Sequence, residues 1–212
     1  MKATLSKIKA VIFDMDGVLI DAKEWHYEAL NKALRMFGLE ISRYDHLTTF
    51  DGLPTKKKLE MLSIEEGLPQ GLHRLINELK QLFTMEMVTH HCRPVFDHEY
   101  ALSRLKNEGY RVAVCSNSIR DTVAAMMNKA QLSGYLDFFL SNQDVKKSKP
   151  HPEIYTKAFK RLKLQPDECL VLEDNENGVK AAKASGCHLM KVEDVTQVTY
   201  ENIKRKIEEV EV

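Results

Sequence analysis

The sequence has no apolar run long enough to cross a membrane and no excess of charge of either sign. A membrane-spanning helix needs roughly 18 or more consecutive apolar residues, and no segment approaches that length. Lys and Arg number 31 in total, as do Asp and Glu, so composition gives no reason to expect a nucleic acid or a membrane as partner. Long polar tracts, internal repeats and low-complexity segments are also missing. With 43% hydrophobic residues, the chain is predicted to fold around a sizeable core.

Cysteine is scarce, and its spacing does not indicate a metal or disulfide framework. The four cysteines are Cys92, Cys115, Cys169 and Cys187, with no CxxC pair among them. Three lie in apolar runs, which favours reduced thiols in the core over a disulfide or a zinc site. The first ten residues lead into a run that is too short and too acidic for a signal peptide. We therefore expect a cytoplasmic protein.

Five short apolar runs alternate with helical patterns. The runs are residues 10–13, 112–115, 138–140, 169–172 and 187–190. Continuous apolar runs of this length are typical of strands buried on both faces, and hence of a parallel sheet. Helical spacing follows in residues 119–131, 152–162 and 177–185, with a capping box beginning at Ser118, Pro152 at a first helical position and Gly186 as a helix end. The alternation predicts an α/β fold with a doubly wound, Rossmann-like parallel sheet.

The stretch between the first two predicted strands has a different pattern. Residues 21–93 contain no convincing strand, whereas Trp25, Ala29, Ala33 and Phe37 recur at four-residue steps. Further helical patterns follow Pro54 and span about residues 69–89. We predict a helical cap over 21–93, inserted into an α/β core of residues 1–20 and 94–212. A charged amphipathic helix after Tyr200 is expected to be a solvated surface helix.

Polar residues follow the predicted strands at the points where these end. Asp14 and Asp16 follow the first strand, and Lys149 lies in the loop after the third. The other candidates are Ser116, Asn117 and Ser118 after the second strand, and Glu173 and Asp174 after the fourth strand. Ligands of open α/β sheets bind outside the carboxyl ends of the strands. Carboxylates, hydroxyls and a lysine at one edge are typical of a metal-assisted phosphate site.

Each group also has a simpler structural interpretation. The first acidic pair could cap a turn, and the second could complement the dipole of a following helix. The serines could cap the next helix, and the lysine could be solvated like most lysines. The functional interpretation is favoured because all four groups fall at the same predicted sheet edge.

These segments together resemble the signatures of the haloacid dehalogenase superfamily. Residues 11–19 (VIFDMDGVL) resemble its first signature and residues 172–182 (LEDNENGVKAA) its fourth. Ser116-Asn117 and Lys149-Pro150 resemble the second and third. The resemblance covers nearly the whole chain in order, and is specifically to the β-phosphoglucomutase-like phosphatases with an α-helical cap.

The resemblance implies a phosphatase that hydrolyses a small phosphate monoester through an aspartyl phosphate. Asp14 would be the nucleophile, and Asp16 would protonate the leaving group and later activate water. Lys149 would neutralise charge on Asp14 and the phosphate. Ser116 and the Asn117 amide would bind a phosphoryl oxygen.

The resemblance also implies Mg²⁺ as cofactor. Its ligands would be Asp14, the main-chain carbonyl of Asp16 and Asp174, with Glu173 assisting directly or through water. The partner would be a small phosphorylated metabolite. No heptad or interface run is visible in the sequence, so a monomer is expected.

The helical insert departs from the pattern of the mutases. Asp51 and Thr55 stand where the mutases carry basic residues that hold a second phosphate. The lysines of residues 56–58 could replace them or be solvated, and Asp51 could meet substrate or merely cap a helix. His26 matches a hinge histidine of the mutases or packs beside Trp25.

Three classes of function stay open on this sequence. A phosphatase is favoured, a sugar-phosphate mutase is the alternative, and a non-catalytic binding module is disfavoured by the complete acidic set. Dehalogenation is disfavoured because dehalogenases of the superfamily lack the second acid, here Asp16.

Overall fold

The computed structural model describes residues 7–50 and 52–211, and it divides the chain into two compact units. One unit contains the described residues up to Asp21 together with those from Arg93 onward. The other is Ala22–Cys92, whose described residues form helices and loops without a strand. The predicted insert, 21–93, covers this helical unit; its role as a cap stays a prediction.

The α/β unit is built on one five-stranded parallel sheet. Its strands are β1 (Ala10–Phe13), β2 (Arg111–Cys115), β3 (Phe138–Leu140), β4 (Cys169–Glu173) and β5 (His188–Lys191), in the order β3-β2-β1-β4-β5. Every residue of β1 and β4 is buried, because both strands are internal and helices cover both faces of the sheet. The predicted α/β fold with a parallel sheet is confirmed.

The helical unit has a core of its own. Its helices are α1 (Lys23–Arg35), α2 (Arg43–Asp45), α3 (Thr55–Glu65) and α4 (His73–His91), with a π-helical segment at His46–Phe50 and a 3-10 turn at Gln70–Leu72. Helix α1 packs along α4. Of the four residues that predicted α1, Ala29 and Ala33 are buried, and the helix ends at Arg35, before Gly38 with φ of +77°.

In the described part of the α/β unit, five further helices accompany the sheet. They are α5 (Phe96–Asn107), α6 (Arg120–Lys129), α7 (Glu153–Leu162), α8 (Glu176–Ser185) and α9 (Tyr200–Glu211), joined in part by 3-10 turns at Ser133–Tyr135, Asn142–Asp144, Pro166–Glu168 and Val195–Gln197. Helix α8 ends on Gly186 in the left-handed conformation, as predicted. Helix α9 packs against α5 and buries Ile203 and Ile207, so it is docked on one face rather than solvated all round.

Two predicted helix starts are wrong. Helix α6 begins at Arg120 without a side-chain cap within the described residues, so the predicted capping box at Ser118 does not form. The Ser118 hydroxyl donates instead to Asp16. Helix α7 begins at Glu153, with Pro152 one position earlier, at the N-cap.

The four cysteines are thiols in the described part of the chain, with Cys187 half-buried and the other three buried. Among the described residues, no helix combines the length and the apolar character that a membrane span requires.

Candidate active site

The sheet register brings three strand ends to one place. Strand β1 lies between β2 and β4, and Phe13 is paired with Val114 on one side and Leu172 on the other. The main-chain N–H of Asp14 still donates to the Leu172 carbonyl, at 3.0 Å. Because the strands are parallel and end nearly level, three residues lie at the same edge of the sheet: Asp14 after β1, Ser116 after β2 and Glu173 at the end of β4.

Lys149 lies at the centre of this edge. Its Nζ donates to Asp14 Oδ1, to Glu173 Oε1 and to the Cys115 carbonyl, each at 2.7 Å. The side chain is 3% exposed, and the ammonium has used its three donors. The alternative of a solvated lysine is therefore wrong.

The side chain of Asn117 holds the backbone of Lys149. The Lys149 N–H donates to Asn117 Oδ1 at 3.1 Å, and Asn117 Nδ2 donates to the Lys149 carbonyl at 3.3 Å. This reciprocal pair joins the β2 end to the loop before α7. The sequence suggested only a main-chain role for Asn117, and nothing in its spacing from Lys149 signals the pair.

The buried carboxylates carry more negative charge than Lys149 neutralises. Oxygens of Asp14, Glu173 and Asp174 lie within 4.8 Å of one another, and all three residues are buried. Burial raises the pKa of Asp14 well above its usual range, the neighbouring Glu173 raises it further, and Lys149 offsets only part. Burial likewise raises the pKa of Glu173, against the opposing effect of Lys149. Burial alone would lower the pKa of Lys149, but Asp14 and Glu173 outweigh it and raise that pKa.

These side chains fit a divalent cation with a preference for oxygen ligands. One ammonium faces three clustered carboxylates, so a further positive charge would relieve their repulsion. Glu173 Oε2 is buried and has no hydrogen-bond partner among the described residues. A buried carboxylate oxygen beside two other carboxylates is what a Mg²⁺ site supplies.

Asp16 is held by the loop that follows β2. The Ser118 hydroxyl donates to Asp16 Oδ2 at 2.9 Å, and the Ser116 hydroxyl reaches the same oxygen at 3.4 Å. The Ser118 N–H donates to Ser116 Oγ at 2.9 Å. Gly17, with φ of +86°, turns the chain directly after Asp16. The two serines therefore orient Asp16 and do not cap α6. No sequence pattern indicates the contact between Ser118 and Asp16.

Tyr155 and Gly178 also lie against Glu173, and no sequence pattern indicates these contacts. The Tyr155 hydroxyl donates to Glu173 Oε1 from the buried face of α7. Burial, reinforced by Glu173, raises the pKa of Tyr155 well above its usual range, so the phenol stays a donor. A Cβ on Gly178 would lie 2.0 Å from Cδ of Glu173. In the sequence, Tyr155 stands only within the predicted helix of residues 152–162, and Gly178 only within the fourth signature.

The candidate residues of the helical unit have contacts within that unit. His26 is half-buried, and its Nδ1 lies 3.1 Å from Nζ of the buried Lys80 on α4. The Trp25 ring lies 6.1 Å from that of His91, between centroids. Thr55 is the first residue of α3.

The three lysines at the start of α3 differ from one another. Lys56 and Lys57 are exposed, and Lys57 lies 3.6 Å from Glu60, whereas Lys58 is buried. The alternative of three solvated lysines is thus wrong for Lys58. Asp51 lies outside the described residues, so its contact with substrate stays a prediction.

The model of the haloacid dehalogenase-like hydrolase family matches residues 11–192. This range contains nearly the whole sheet and all four strand-end groups. The chain belongs to the haloacid dehalogenase-like hydrolases. The superfamily predicted from the four sequence signatures is therefore confirmed.

Two proteins that are similar to this chain have phosphatase names. The phosphorylated carbohydrates phosphatase of Thermotoga maritima is 30% identical over 183 residues, which cover 84% of this chain and 82% of that protein. The phosphoglycolate phosphatase of Aquifex aeolicus is 27% identical over 179 residues, with the same two coverages. The prediction of a phosphatase-type enzyme is confirmed.

A solved structure shares the fold of this hydrolase. The β-phosphoglucomutase of Clostridium difficile superposes with a TM-score of 0.82, covering 95% of this chain and 98% of that one. Its sequence identity is 22%, so the similarity concerns the fold.

Proposed function

We propose that this hydrolase is a Mg²⁺-dependent phosphatase that cleaves a small phosphate monoester through an aspartyl phosphate on Asp14. The observation that carries the proposal is the buried Asp14 carboxylate, which lies 2.7 Å from Lys149 Nζ and within 4.8 Å of Glu173 and Asp174 oxygens. A buried carboxylate with an ammonium on one oxygen can present its other oxygen to phosphorus.

The cation would be held by Asp14, Asp174 and the Asp16 main-chain carbonyl, with Glu173 beside them. When bound, Mg²⁺ supplies positive charge to the transferring phosphoryl group. Lys149 supplies a second fixed charge, and its contact with Asp14 Oδ1 leaves Oδ2 as the attacking oxygen. Charge neutralisation and positioning account for most catalysis of phosphoryl transfer.

Asp16 would serve as the general acid and base. In the first step Asp14 forms a bond to phosphorus while the ester oxygen leaves and takes a proton from Asp16. In the second step Asp16 takes a proton from water as that water attacks phosphorus and releases Asp14. The hydrogen bond from Ser118 fixes the Asp16 carboxyl for both transfers. Ser116 and the Asn117 amide, at the end of β2, would bind a phosphoryl oxygen.

The substrate would be chosen by the helical unit, which is inserted between β1 and β2. The names of the two similar phosphatases suggest phosphorylated sugars and short phosphorylated acids as the first compounds to test. Contact between His26 and the substrate stays a proposal; within the helical unit its Nδ1 lies 3.1 Å from Lys80 Nζ. A mutase would need Thr55 and Asp51 to bind a second phosphate, as basic residues do in the mutases. Neither side chain is basic, so we expect slow turnover of glucose 1-phosphate.

The test is phosphate release from a panel of phosphorylated sugars, short polyols, nucleotides and phosphoglycolate, with Mg²⁺ and with a chelator. We expect Mg²⁺-dependent hydrolysis of at least one monoester, and loss of turnover in Asp14→Asn because an amide is a poor nucleophile. Asp21→Asn is the matched control, since Asp21 is an exposed carboxylate further along the same loop.

Two results would contradict the proposal. Asp14→Asn retaining more than about a tenth of the wild-type rate would exclude Asp14 as the covalent nucleophile. Efficient conversion of glucose 1-phosphate to glucose 6-phosphate with added glucose 1,6-bisphosphate would identify a mutase instead.

A further inference from the structure

Among the described residues, Glu173 has two donors on one carboxylate oxygen and none on the other. Lys149 Nζ donates to Oε1 at 2.7 Å, and the Tyr155 hydroxyl donates to the same oxygen. Oε2 is buried and has no hydrogen-bond partner among the described residues. Burial of an unpartnered carboxylate oxygen is costly, so a ligand for Oε2 is expected.

Core packing does not explain the hydroxyl of Tyr155. The residue is fully buried on the apolar face of α7, in a core cluster that also contains Ile154, Ala158 and Phe159. A phenylalanine would fill the same volume without a polar atom to satisfy. The contact that accounts for the hydroxyl is the one with Glu173.

The Glu173 carboxylate also lies against the first turn of α8. A Cβ on Gly178 would lie 2.0 Å from both Cδ and Oε2, so the carboxylate rests against the bare backbone of the first turn. The two donors at Oε1, Lys149 and Tyr155, and the close backbone of Gly178 restrict its rotation. Without the Tyr155 hydroxyl, Lys149 would be the one described donor left on Oε1, and the carboxylate would be less restricted.

We propose that Tyr155 is a positioning residue for the metal. By donating to Oε1 beside Lys149, it fixes the Glu173 carboxylate so that Oε2 is presented to the cation held with Asp14 and Asp174. This inference rests on the proposed function, because it concerns the Mg²⁺ site of the same reaction. Tyr155 does not touch substrate in this role and acts through Glu173.

The test is the affinity of the metal-free, full-length protein for Mg²⁺ alone, measured by titration calorimetry. Groups that orient metal ligands typically contribute about 10–100-fold to affinity, so Tyr155→Phe should bind Mg²⁺ about tenfold more weakly. Tyr135→Phe is the matched control, because its hydroxyl also donates to a carboxylate, Glu99 Oε1 at 3.0 Å, outside the site. Phe159→Leu controls for a packing lesion on the face of the same helix that carries Tyr155. Both controls should bind Mg²⁺ like the wild type.

A double-mutant cycle separates positioning from a general loss of structure. If Tyr155 acts through Glu173, Glu173→Gln weakens Mg²⁺ binding, and adding Tyr155→Phe to it changes the affinity no further. In turnover assays, Tyr155→Phe should raise the Mg²⁺ concentration needed for half-maximal rate, with the substrate KM unchanged and kcat at saturating Mg²⁺ within about threefold of wild type. Should Tyr155→Phe not fold, unchanged affinity in Glu173→Gln would still overturn the inference.

The outcomes distinguish this inference from the proposed function. Unchanged or tighter Mg²⁺ binding by Tyr155→Phe, or additive effects in the cycle, overturns the role of Tyr155 even if phosphate esters are hydrolysed. A weakened affinity with a non-additive cycle supports it even if no ester of the panel is a substrate. Absence of Mg²⁺ binding by the wild type overturns both.

Discussion

Gly178→Ala tests how tightly the Glu173 carboxylate is enclosed. Gly178 lies in the first turn of α8, where its N–H donates to Asn175 Oδ1 at 3.0 Å. The added methyl carbon would lie 2.0 Å from Cδ and Oε2 of Glu173 and 2.1 Å from Oε1. Non-bonded carbon atoms prefer a separation of about 3.5 Å or more, so the overlap is more than an ångström. The backbone of α8 is fixed by its cap and packing, and Glu173 must therefore move.

The expected cost follows from the contacts that Glu173 would lose. Alanine is favoured over glycine in a helix by about 1 kcal/mol. Against this, disrupting a buried ion pair typically costs about 3–5 kcal/mol. The lower end applies here, because Lys149 keeps Asp14 as a partner and because moving Glu173 reduces its repulsion with Asp14. We expect Gly178→Ala to lower the free energy of unfolding by about 2 kcal/mol, as the difference of these two effects.

The assay is urea denaturation of the metal-free protein, followed by Mg²⁺ calorimetry on the folded variant. Gly134→Ala is the matched control, because a Cβ there would have no atom within 4 Å and its φ is not positive. The unfolding free energy of that control should lie within about 1 kcal/mol of wild type. Its Mg²⁺ affinity should be unchanged. A Gly178→Ala protein as stable as wild type, with unchanged Mg²⁺ affinity, would refute the close enclosure of Glu173.

Three further predictions concern the acid, the lysine loop and the acid sensitivity of the fold. Asp16→Asn should lower kcat by about 10²–10⁴-fold on an alkyl phosphate and less on an activated aryl phosphate; equal losses, with a burst experiment excluding rate-limiting dephosphorylation, would contradict its role as acid. Asn117→Ala should lower kcat by up to about 100-fold, because Lys149 loses its backbone clamp and misplacement by an ångström costs this much; a wild-type kcat would show that the clamp is dispensable. Burial alone would raise the pKa of Asp137, but hydrogen bonds from the Val112 N–H and two cationic side chains lower it. The stability that this carboxylate contributes is therefore present above its unfolded pKa of about 3.9 and lost as pH falls through the lower folded pKa. Asp137→Asn should be less stable at pH 7, and its urea midpoint should fall less steeply than that of wild type below about pH 4; parallel pH profiles would argue against this.

The chain's local pattern determined the elements of the α/β unit. Each predicted strand lies within one or two residues of an observed one. For the fully buried β1 and β4 the reason is that a strand buried on both faces requires an unbroken apolar run, whereas the edge strand β5 is only half-buried. The face of α7 and the glycine end of α8 follow from helical periodicity and from the left-handed conformation at Gly186. Helix α5 was not predicted, because its buried positions include His98 and its surface carries the exposed Phe96, which obscures the apolar stripe.

The sequence alone also indicated which residue types stand at the strand ends, but not how they are paired. The strand order places β1 between β2 and β4, and this order brings Asp14 next to Glu173, 159 positions apart in the sequence. Only the folded chain could show that Lys149 is buried with three acceptors, that Ser118 holds Asp16, and that the Tyr155 hydroxyl meets Glu173. Hydrophobic periodicity indicates which face of a helix is buried. The partner of a polar group on that face depends on packing between distant segments, which local pattern does not contain.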